Sequence, residues 1–295
     1  MTTNKTISAN QDYEGTIVSN DATRHYYLHL PPNYDISHPI PLLIALHGRL
    51  GTGKRMSTQT GFNHIADREG FMVVYPDGVK RSWADGRGIT RADEQGVNDV
   101  AFVERLIETL QGQFSIDRTR IYLVGHSNGG FMSLRLSVEL FHQFAAAAVV
   151  AASLTDSLVN RFKAGRTVSV LFMHGTADPV TPYGGSKLPD GRMTLPVEEA
   201  AKLWARYLGC SIFPKVEMID QPGRDISISV FTYRQCRNQR QVKLYKIEGG
   251  GHMWPGEPDG FSEFSVGGTK PDINASEEIW SFFGDKTTLV LTQMQ

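Results

Sequence analysis

One serine stands in a pattern that is typical of a nucleophile. Ser127 is the centre of a GxSxG sequence that begins at Gly125, ends at Gly129 and directly follows the apolar run Ile121–Val124. A serine on so tight a strand-to-helix turn is held in strained backbone geometry with its hydroxyl above the sheet. Glycine on either side avoids a Cβ that would collide with the neighbouring strand and helix. The pattern therefore predicts that Ser127 is a nucleophile.

A serine nucleophile needs a base, and the base needs an acid that orients it. In sheets with a nucleophile on such a turn, the order along the chain is serine, acid, histidine, each on a loop after a strand. Asp178 follows the apolar run Ser169–Met173, and His252 follows Lys243–Ile247. Both stand where the order requires them. Asp156, just after the preceding strand, is the competing acid, and we rank Asp178 ahead of it.

A second glycine-rich turn, Gly48–Arg55, also follows a buried apolar run. It nearly matches GxxxxGK[ST], the loop that binds nucleotide phosphates, but Arg55 replaces the hydroxyl residue that binds Mg²⁺. The turn also fits an oxyanion hole, which takes one amide from the residue after the nucleophile, Asn128, and one from the loop after the His-Gly strand, Arg49 or Leu50. We favour the oxyanion hole and keep a nucleotide binder as the alternative from another class.

Other polar residues beside the ends of strands have a structural interpretation. His47, His126 and His174 are expected to hydrogen-bond to loops, and Asp77 and Asp99 are expected to fix the loops in place rather than to act in chemistry. Only His252 stands after the final strand among glycines that free its loop to reach Ser127.

The elements that must position these residues alternate between short apolar runs and amphipathic stretches. Strands are predicted at Thr23–Leu30, Pro41–Leu46, Phe71–Tyr75, Ile121–Val124, Ala146–Ala152, Ser169–Met173 and Lys243–Ile247. Helices are predicted after a cap at Asn98, from Gly130 to about Phe141, and at Thr194–Leu208 and Asn274–Phe283. This alternation is typical of an α/β fold with a mostly parallel sheet flanked by helices. Without a Pro/Ser-rich linker, residues 21–284 are predicted to form one domain, with 1–20 as an extension or first strand and 285–295 as a tail.

Composition excludes several classes of protein. The 295 residues carry 30 Lys+Arg against 31 Asp+Glu, a formal net charge of −1, so we expect neither nucleic acid nor an anionic membrane as a partner. The longest apolar run, Phe144–Ala152, is far too short to span a bilayer. The two cysteines have no metal-binding spacing, so we expect no metal and no cofactor.

The chain contains six stretches that together are typical of one family: LHGRLGTG, VVYPDGVKRSW, NDVAFVERLIE, RIYLVGHSNGGFMSLRL, FMHGTADPVTPYGG and YKIEGGGHMWPG. With them it resembles the α/β-hydrolase esterases grouped with polyhydroxybutyrate depolymerases and bacterial feruloyl or acetylxylan esterases. The resemblance covers most of Tyr26–Phe283 and implies the α/β-hydrolase fold without a large lid domain. It also implies a serine carboxylic-ester hydrolase with Ser127, Asp178 and His252 as nucleophile, acid and base. Feruloyl, acetyl or other short-acyl esters are the implied substrates, with polyester depolymerisation as the alternative. Peptidase and acyltransferase chemistry use the same three residues and stay open, whereas a non-catalytic binding module is disfavoured.

The chain departs from its relatives at one position and matches them at another. Similar proteins often carry a cysteine soon after His-Gly, where this chain has Arg49, whose charge at the mouth of the site could alter substrate preference. Many relatives pair cysteines at positions like Cys210 and Cys236, which leaves a disulfide and two free thiols both open. A disulfide would imply export. No secretory signal is visible in Met1–Gly15, so we expect a secreted or periplasmic protein if the N-terminus was trimmed and a cytoplasmic one otherwise.

Three aromatic residues in loops near strand ends are candidates for substrate binding: Trp83, Tyr183 and Trp254. Each could stack on an aromatic acyl group or a sugar ring, or could merely wall the cleft. The Gly/Pro-rich segment Gly256–Pro271 is expected to form a rim over the site. Without a lid, we predict an open cleft that suits a short ester or the end of a polymer.

Overall fold

The computed structural model describes residues 12–19, 22–163, 166–219, 226–258, 266–268, 270–284 and 286–288. Twelve strands are present in these residues: β1 Asp12–Ser19, β2 Ala22–His29, β3 Ile40–Leu46, β4 Met72–Pro76, β5 Ile116–His126, β6 Ala146–Val150, β7 Ser169–Gly175, β8 Ser186–Lys187, β9 Met193–Thr194, β10 Lys215–Ile219, β11 Ile228–Tyr233 and β12 Val242–Ile247. Ten of them form one sheet in the order β1-β2-β4-β3-β5-β6-β7-β12-β11-β10, and β8 and β9 form a separate hairpin.

The centre of the sheet is parallel, as the sequence predicts. Strands β4, β3, β5, β6, β7 and β12 pair in parallel, whereas β1, β2, β11 and β10 extend the two sides with antiparallel pairing. All residues of β6 and β7 are buried because helices cover both faces of the sheet. The carboxyl ends of β5, β7 and β12 lie at one edge, and the loops that carry the candidate catalytic residues start there.

Eight α-helices complete the described residues: α1 Gly53–Thr60, α2 Phe62–Glu69, α3 Arg91–Glu94, α4 Asp99–Gln113, α5 Asn128–Glu139, α6 Asp156–Val159, α7 Val197–Tyr207 and α8 Ala275–Phe283. Apolar side chains of α4, α5 and α7 join one core on one face of the sheet, and those of α1, α2 and α8 join a second core on the other face. Asn98 caps α4 as predicted, since its side chain accepts a hydrogen bond from the Ala101 N–H. No insertion within the described residues forms a lid domain.

The structure adds antiparallel strands that the sequence analysis does not predict, and it describes parts of both terminal segments. The antiparallel strands β10 and β11 were missed because their burial pattern is exposed or alternating rather than a continuous apolar run. Strand β1, in the part of residues 1–20 that is described, pairs with β2 along its whole length. In the segment 285–295, residues 286–288 are described, and the Thr288 N–H donates to the Thr119 carbonyl.

A disulfide joins Cys210, just after α7, to Cys236, just after β11. The sequence left this pairing open, and the bond ties a helix on one face to the antiparallel side of the sheet. Among the helices of the described chain, none is both long and apolar enough to cross a bilayer.

Candidate active site

The loop after β5 holds Ser127 in the conformation that the GxSxG pattern predicts. Ser127 has φ 53° and ψ −119°, a left-handed conformation that non-glycine residues seldom adopt, and α5 begins at the next residue. A Cβ at Gly125 would collide with the Gly129 carbonyl, and a Cβ at Gly129 would collide with the Leu46 carbonyl. The two glycines therefore allow strand and helix to approach closely enough to force this turn.

The structure brings Asp178 and His252 together from the loops after β7 and β12. His252 Nδ1 lies 2.8 Å from Asp178 Oδ2, and both side chains are buried. The other carboxylate oxygen, Oδ1, accepts hydrogen bonds from the backbone N–H groups of Val180 at 2.8 Å and Thr181 at 2.7 Å. With Oδ2 accepting the Nδ1 proton, the imidazole presents an unprotonated Nε2, the form that a general base requires.

His174 is a second histidine at the same carboxylate. Its Nε2 lies 3.3 Å from Asp178 Oδ2 and donates to the Thr181 carbonyl at 2.8 Å. Burial alone would raise the pKa of Asp178, but the hydrogen bonds from His174, His252 and the Thr181 N–H outweigh it and hold the pKa well below its usual range. Asp178 therefore stays ionised at neutral pH.

Ser127 and His252 line one open cavity of about 450 Å³. The loop after β3, from His47 to Thr52, forms an adjoining wall, where a Cβ at Gly48 would lie 3.5 Å from the Cβ of Ser127. A β-bridge between His252 and Val266 fixes the base loop, with the His252 N–H donating to the Val266 carbonyl at 2.8 Å. Val266 belongs to the segment 256–271 that was predicted as a rim and lines the cavity; residues 259–265 and 269 of that segment lie outside the described residues.

Arg49 and Leu50, the two candidates for the second oxyanion-hole amide, differ in whether their backbone N–H groups already have an acceptor. The Leu50 N–H donates to the Arg81 carbonyl at 2.8 Å and is therefore occupied. The Arg49 N–H has no acceptor among the described residues, and Arg49 lines the cavity beside Asn128 and Ser127. The Asn128 side chain is held elsewhere, because its Nδ2 donates to Asp85 Oδ2 at 2.6 Å and its Oδ1 accepts from the Trp83 N–H at 2.8 Å. Its backbone N–H is the first of α5 and has no intrahelical acceptor.

The three aromatic residues that were predicted to contact substrate do not line the cavity. Trp83 and Trp254 are 0% and 1% exposed, and their indole N–H groups donate to the His47 carbonyl and to Ser276 Oγ. Tyr183 is half-buried, and its hydroxyl donates to Glu198 Oε1 at 3.1 Å. A substrate ring has no free indole face to stack on, because packing and these hydrogen bonds turn both tryptophans into the protein. The stacking expectation is corrected accordingly.

The residues that do line the mouth are mostly aliphatic or cationic. Leu50, Val180 and Val266 are 51%, 56% and 44% exposed there, and Arg49, Arg55 and Arg87 also line the cavity. Their types give no sequence signal that separates them from other loop residues, apart from Arg49, which stands in the glycine-rich turn after His-Gly.

Residues 19–252 match the protein family Esterase, described as "Putative esterase". The matched segment covers most of the chain, including Ser127, Asp178 and His252. The chain belongs to this esterase family. It is a carboxylic ester hydrolase with the α/β-hydrolase fold.

The esterase is similar to curated proteins from bacteria and fungi. It is 28% identical over 275 residues to the "Putative esterase NocK" of Nocardia uniformis subsp. tsuyamanensis, which covers 88% of this chain and 79% of that protein. It is 29% identical over 239 residues to Feruloyl esterase B of Piromyces equi, covering 78% of this chain and 42% of that protein. The chain thus spans less than half the length of the Piromyces protein.

Solved structures share the fold of the esterase. The acetyl xylan esterase from Aspergillus awamori superposes with a TM-score of 0.62 at 15% identity, covering 92% of this chain and 99% of that chain. At this identity the likeness concerns the fold alone.

The lysine of the alternative nucleotide-binding turn is not among the residues that line the cavity. Lys54, which would contact phosphates, is exposed on α1 with its Nζ 3.5 Å from Glu14 Oε1. The glycine-rich turn before it lines the same cavity as Ser127. The described residues include no group of three or more His, Cys, Asp or Glu side chains that could hold a metal ion.

Asp156, the competing acid, starts α6 in the esterase and bonds to backbone. Its Oδ1 accepts from the Ser157 N–H at 2.6 Å and its Oδ2 from the Met193 N–H at 3.0 Å. Of the two candidate acids, only Asp178 contacts His252.

The two loop-fixing aspartates behave as predicted. Asp77 Oδ1 accepts from the Gly53 N–H at 2.6 Å, and Asp99 accepts from Arg24 Nη2 and from the Ala84 N–H, each at 2.7 Å. These bonds fix the loops after β3 and β4 beside the cavity.

Proposed function

We propose that the esterase hydrolyses its substrate through an acyl-enzyme formed on Ser127. His252 Nε2 takes the Ser127 proton as Oγ attacks the ester carbonyl carbon, and the same proton then passes to the departing alcohol oxygen. Water, deprotonated by His252, attacks the acyl carbon, and Ser127 recovers its proton as the carboxylic acid leaves. Asp178 holds the imidazole and stabilises its cationic form. The observation that carries this proposal is the Asp178–His252 hydrogen bond of 2.8 Å at the cavity that Ser127 also lines.

The amides of Asn128 and Arg49 are proposed to hold the carbonyl oxygen when it becomes negative. Both residues line the cavity, and Asn128 is the first residue of α5, whose amino end carries the positive end of the helix dipole. Such preorganised donors contribute about 3–4 kcal/mol to transition-state stabilisation. The bond from Leu50 to Arg81 favours Arg49 over Leu50 for the second amide.

The proposed substrates are feruloyl, acetyl or other short-acyl esters. The name of the Piromyces relative supports a feruloyl ester, and the exposed Leu50, Val180 and Val266 offer apolar surface to an acyl group. An open cavity, with no lid domain among the described residues, also suits the end of a polyester chain, which is the second candidate. Residues 21–284 are proposed as the catalytic unit. The disulfide supports a protein that works outside the reducing cytoplasm.

Replacement of the nucleophile tests the proposal. Hydrolysis of 4-nitrophenyl acetate by Ser127→Ala should fall by a factor of at least about 10³, because the serine, histidine and aspartate act as one unit. A fluorophosphonate probe should add its mass to the peptide that contains Ser127 in the wild type only. Ser37→Ala, at an exposed serine that bonds to Asp35, is the matched control and should keep wild-type rates and labelling. Substantial turnover by folded Ser127→Ala, or labelling at a different serine, would overturn the assignment.

A substrate panel then separates the two candidate classes. Methyl ferulate and acetylated xylan represent the first, and polyhydroxybutyrate represents the second. Higher kcat/KM on methyl ferulate or acetylated xylan supports the first class, and release of soluble hydroxy acid from the polymer alone supports the second.

A further inference from the structure

The wall of the active-site cavity carries three arginine side chains. Arg49, Arg55 and Arg87 line it, whereas no aspartate or glutamate does so among the described residues. The whole chain is nearly neutral, so this distribution is local rather than a consequence of composition. A cavity lined by one sign of charge raises the local concentration of ligands of the opposite sign.

The three arginines differ in what they contact. Arg87 is neutralised by Asp85, whose Oδ2 accepts from its Nη2 at 2.7 Å, and its guanidinium lies 3.6 Å from the centre of the Phe131 ring. Arg55 is half-buried on α1. Arg49 is exposed, and its guanidinium has no hydrogen-bond or ion-pair partner among the described residues. Arg49 therefore supplies the cation that a ligand can pair with.

Arg49 also stands next to the reacting carbonyl. In the proposed function its backbone N–H donates to the carbonyl oxygen of the ester. The Cα that carries the Arg49 side chain therefore lies beside the reacting carbonyl. The surfaces beside it are apolar, because Leu50, Val180 and Val266 expose aliphatic side chains at the same mouth. This combination fits a ligand in which a short apolar linker separates an ester from an anionic group.

We propose that the esterase selects esters that carry a carboxylate close to the scissile bond, and that the guanidinium of Arg49 recognises this carboxylate. The proposal rests on the hydrolytic function of Ser127 proposed above and adds the charge of the substrate to it. A guanidinium binds a carboxylate with two parallel hydrogen bonds, which an uncharged amide of the same size cannot match. Because Arg49 is solvent-exposed, the preference should be moderate and should weaken with salt.

Two esters of equal size provide the test. Monomethyl adipate and the methyl ester of adipic acid monoamide differ only in a carboxylate against a carboxamide, and methanol release gives kcat/KM for each. At low salt the wild type should prefer the carboxylate about fivefold, the upper end for an exposed ion pair. The preference should shrink in 0.5 M NaCl. Repeating the comparison with succinate, glutarate and suberate esters determines the best spacing between the carboxylate and the ester. Comparing acetoxyacetate with acetoxyacetamide tests a carboxylate on the alcohol part of the substrate.

Variants of Arg49 assign the effect to its side chain. Arg49→Gln should bring the ratio of the two kcat/KM values close to one, and Arg49→Lys should restore part of it. The ratio is the readout because a shift of the Arg49 amide would change both rates together. Arg118→Gln is the matched control: it removes an exposed arginine near the start of β5, roughly 30 Å from Ser127 along the strand. Its ratio should equal that of the wild type.

The outcomes separate this inference from the proposed function. A ratio of one or below in the wild type for every pair, or an unchanged ratio in Arg49→Gln, overturns the inference while hydrolysis itself stands. If neither ester of any pair is hydrolysed, the proposed function fails. Binding of the same pairs to Ser127→Ala, followed by ligand-observed NMR, then still decides whether Arg49 prefers the carboxylate.

Discussion

Four N–H groups surround the carboxylate of Asp178. They come from the rings of His252 and His174 and from the backbone of Val180 and Thr181. Such a set holds both carboxylate oxygens in one orientation, and this orientation in turn fixes the His252 ring. Asp156 also accepts two N–H groups, but both belong to backbone near α6. Asp178 is therefore distinguished from Asp156 by its contact with His252, and not by the fact that it accepts backbone hydrogen bonds.

Exchange of each aspartate for asparagine separates the two acids. Asp178→Asn should lower kcat by a factor of about 10³ to 10⁴, because the amide favours the wrong imidazole tautomer. Asp156→Asn should keep kcat within a few-fold of the wild type. Steady-state hydrolysis of 4-nitrophenyl acetate measures both, and circular dichroism checks that both variants fold. The reverse order of effects would make Asp156 the acid.

At the scale of elements, close approach between strand and helix decides the geometry of the nucleophile. Helix α5 packs against the ends of β3 and β5 at Gly129, where a Cβ would meet the backbone carbonyls of Leu46 and His47. Gly112 near the end of α4 has no atom within 4 Å of a Cβ position. A side chain at Gly129 would therefore collide with the backbone of β3, whereas a side chain at Gly112 would meet no neighbour.

Alanine substitution should reveal this difference. Gly112→Ala should raise the free energy of unfolding by about 0.5–1 kcal/mol, because alanine loses less backbone entropy on folding. Gly129→Ala should lower it by roughly 1–3 kcal/mol and reduce kcat, because the start of α5 must move away from β3. Urea denaturation and ester hydrolysis measure the two effects. Equal stability changes in both variants would show that the contact at Gly129 is not restrictive.

The sequence could predict those elements whose pattern depends on local chemistry. The central strands are continuous apolar runs because both of their faces are covered, and the turn at Ser127 requires its glycines. Both features could therefore be predicted from the sequence. The exposed edge strand β10 has no such pattern. Whether Trp83 and Trp254 face the cavity or the core depends on which partners accept their indole N–H groups, His47 and Ser276, and those partners are distant in sequence. Side-chain direction in loops therefore required the structure.

At the scale of the whole molecule, folding buries two uncharged histidines beside the active site. His47 Nδ1 donates to the Gly48 carbonyl at 2.7 Å, and its Nε2 accepts from the Gly78 N–H at 3.0 Å, so protonation would remove an acceptor. Burial lowers the pKa of His47 to about 4. Burial, together with the neighbouring His252, lowers the pKa of His126 to about 3. In the unfolded chain both titrate near the ordinary histidine pKa of about 6.5.

Stability should therefore fall as the pH decreases from about 6.5 to 4, because the unfolded chain takes up protons there that the folded chain does not. Each of His47 and His126 should contribute a loss of about 3 kcal/mol by pH 4, with full stability present above pH 6.5. The slope of the unfolding free energy against pH, from urea denaturation, is the measurement. His47→Gln and His126→Gln should each flatten this slope, whereas His38→Gln, at an exposed histidine, should leave it unchanged. Parallel pH profiles for all four proteins would contradict the assignment, since the acid sensitivity would then arise from groups other than these two rings.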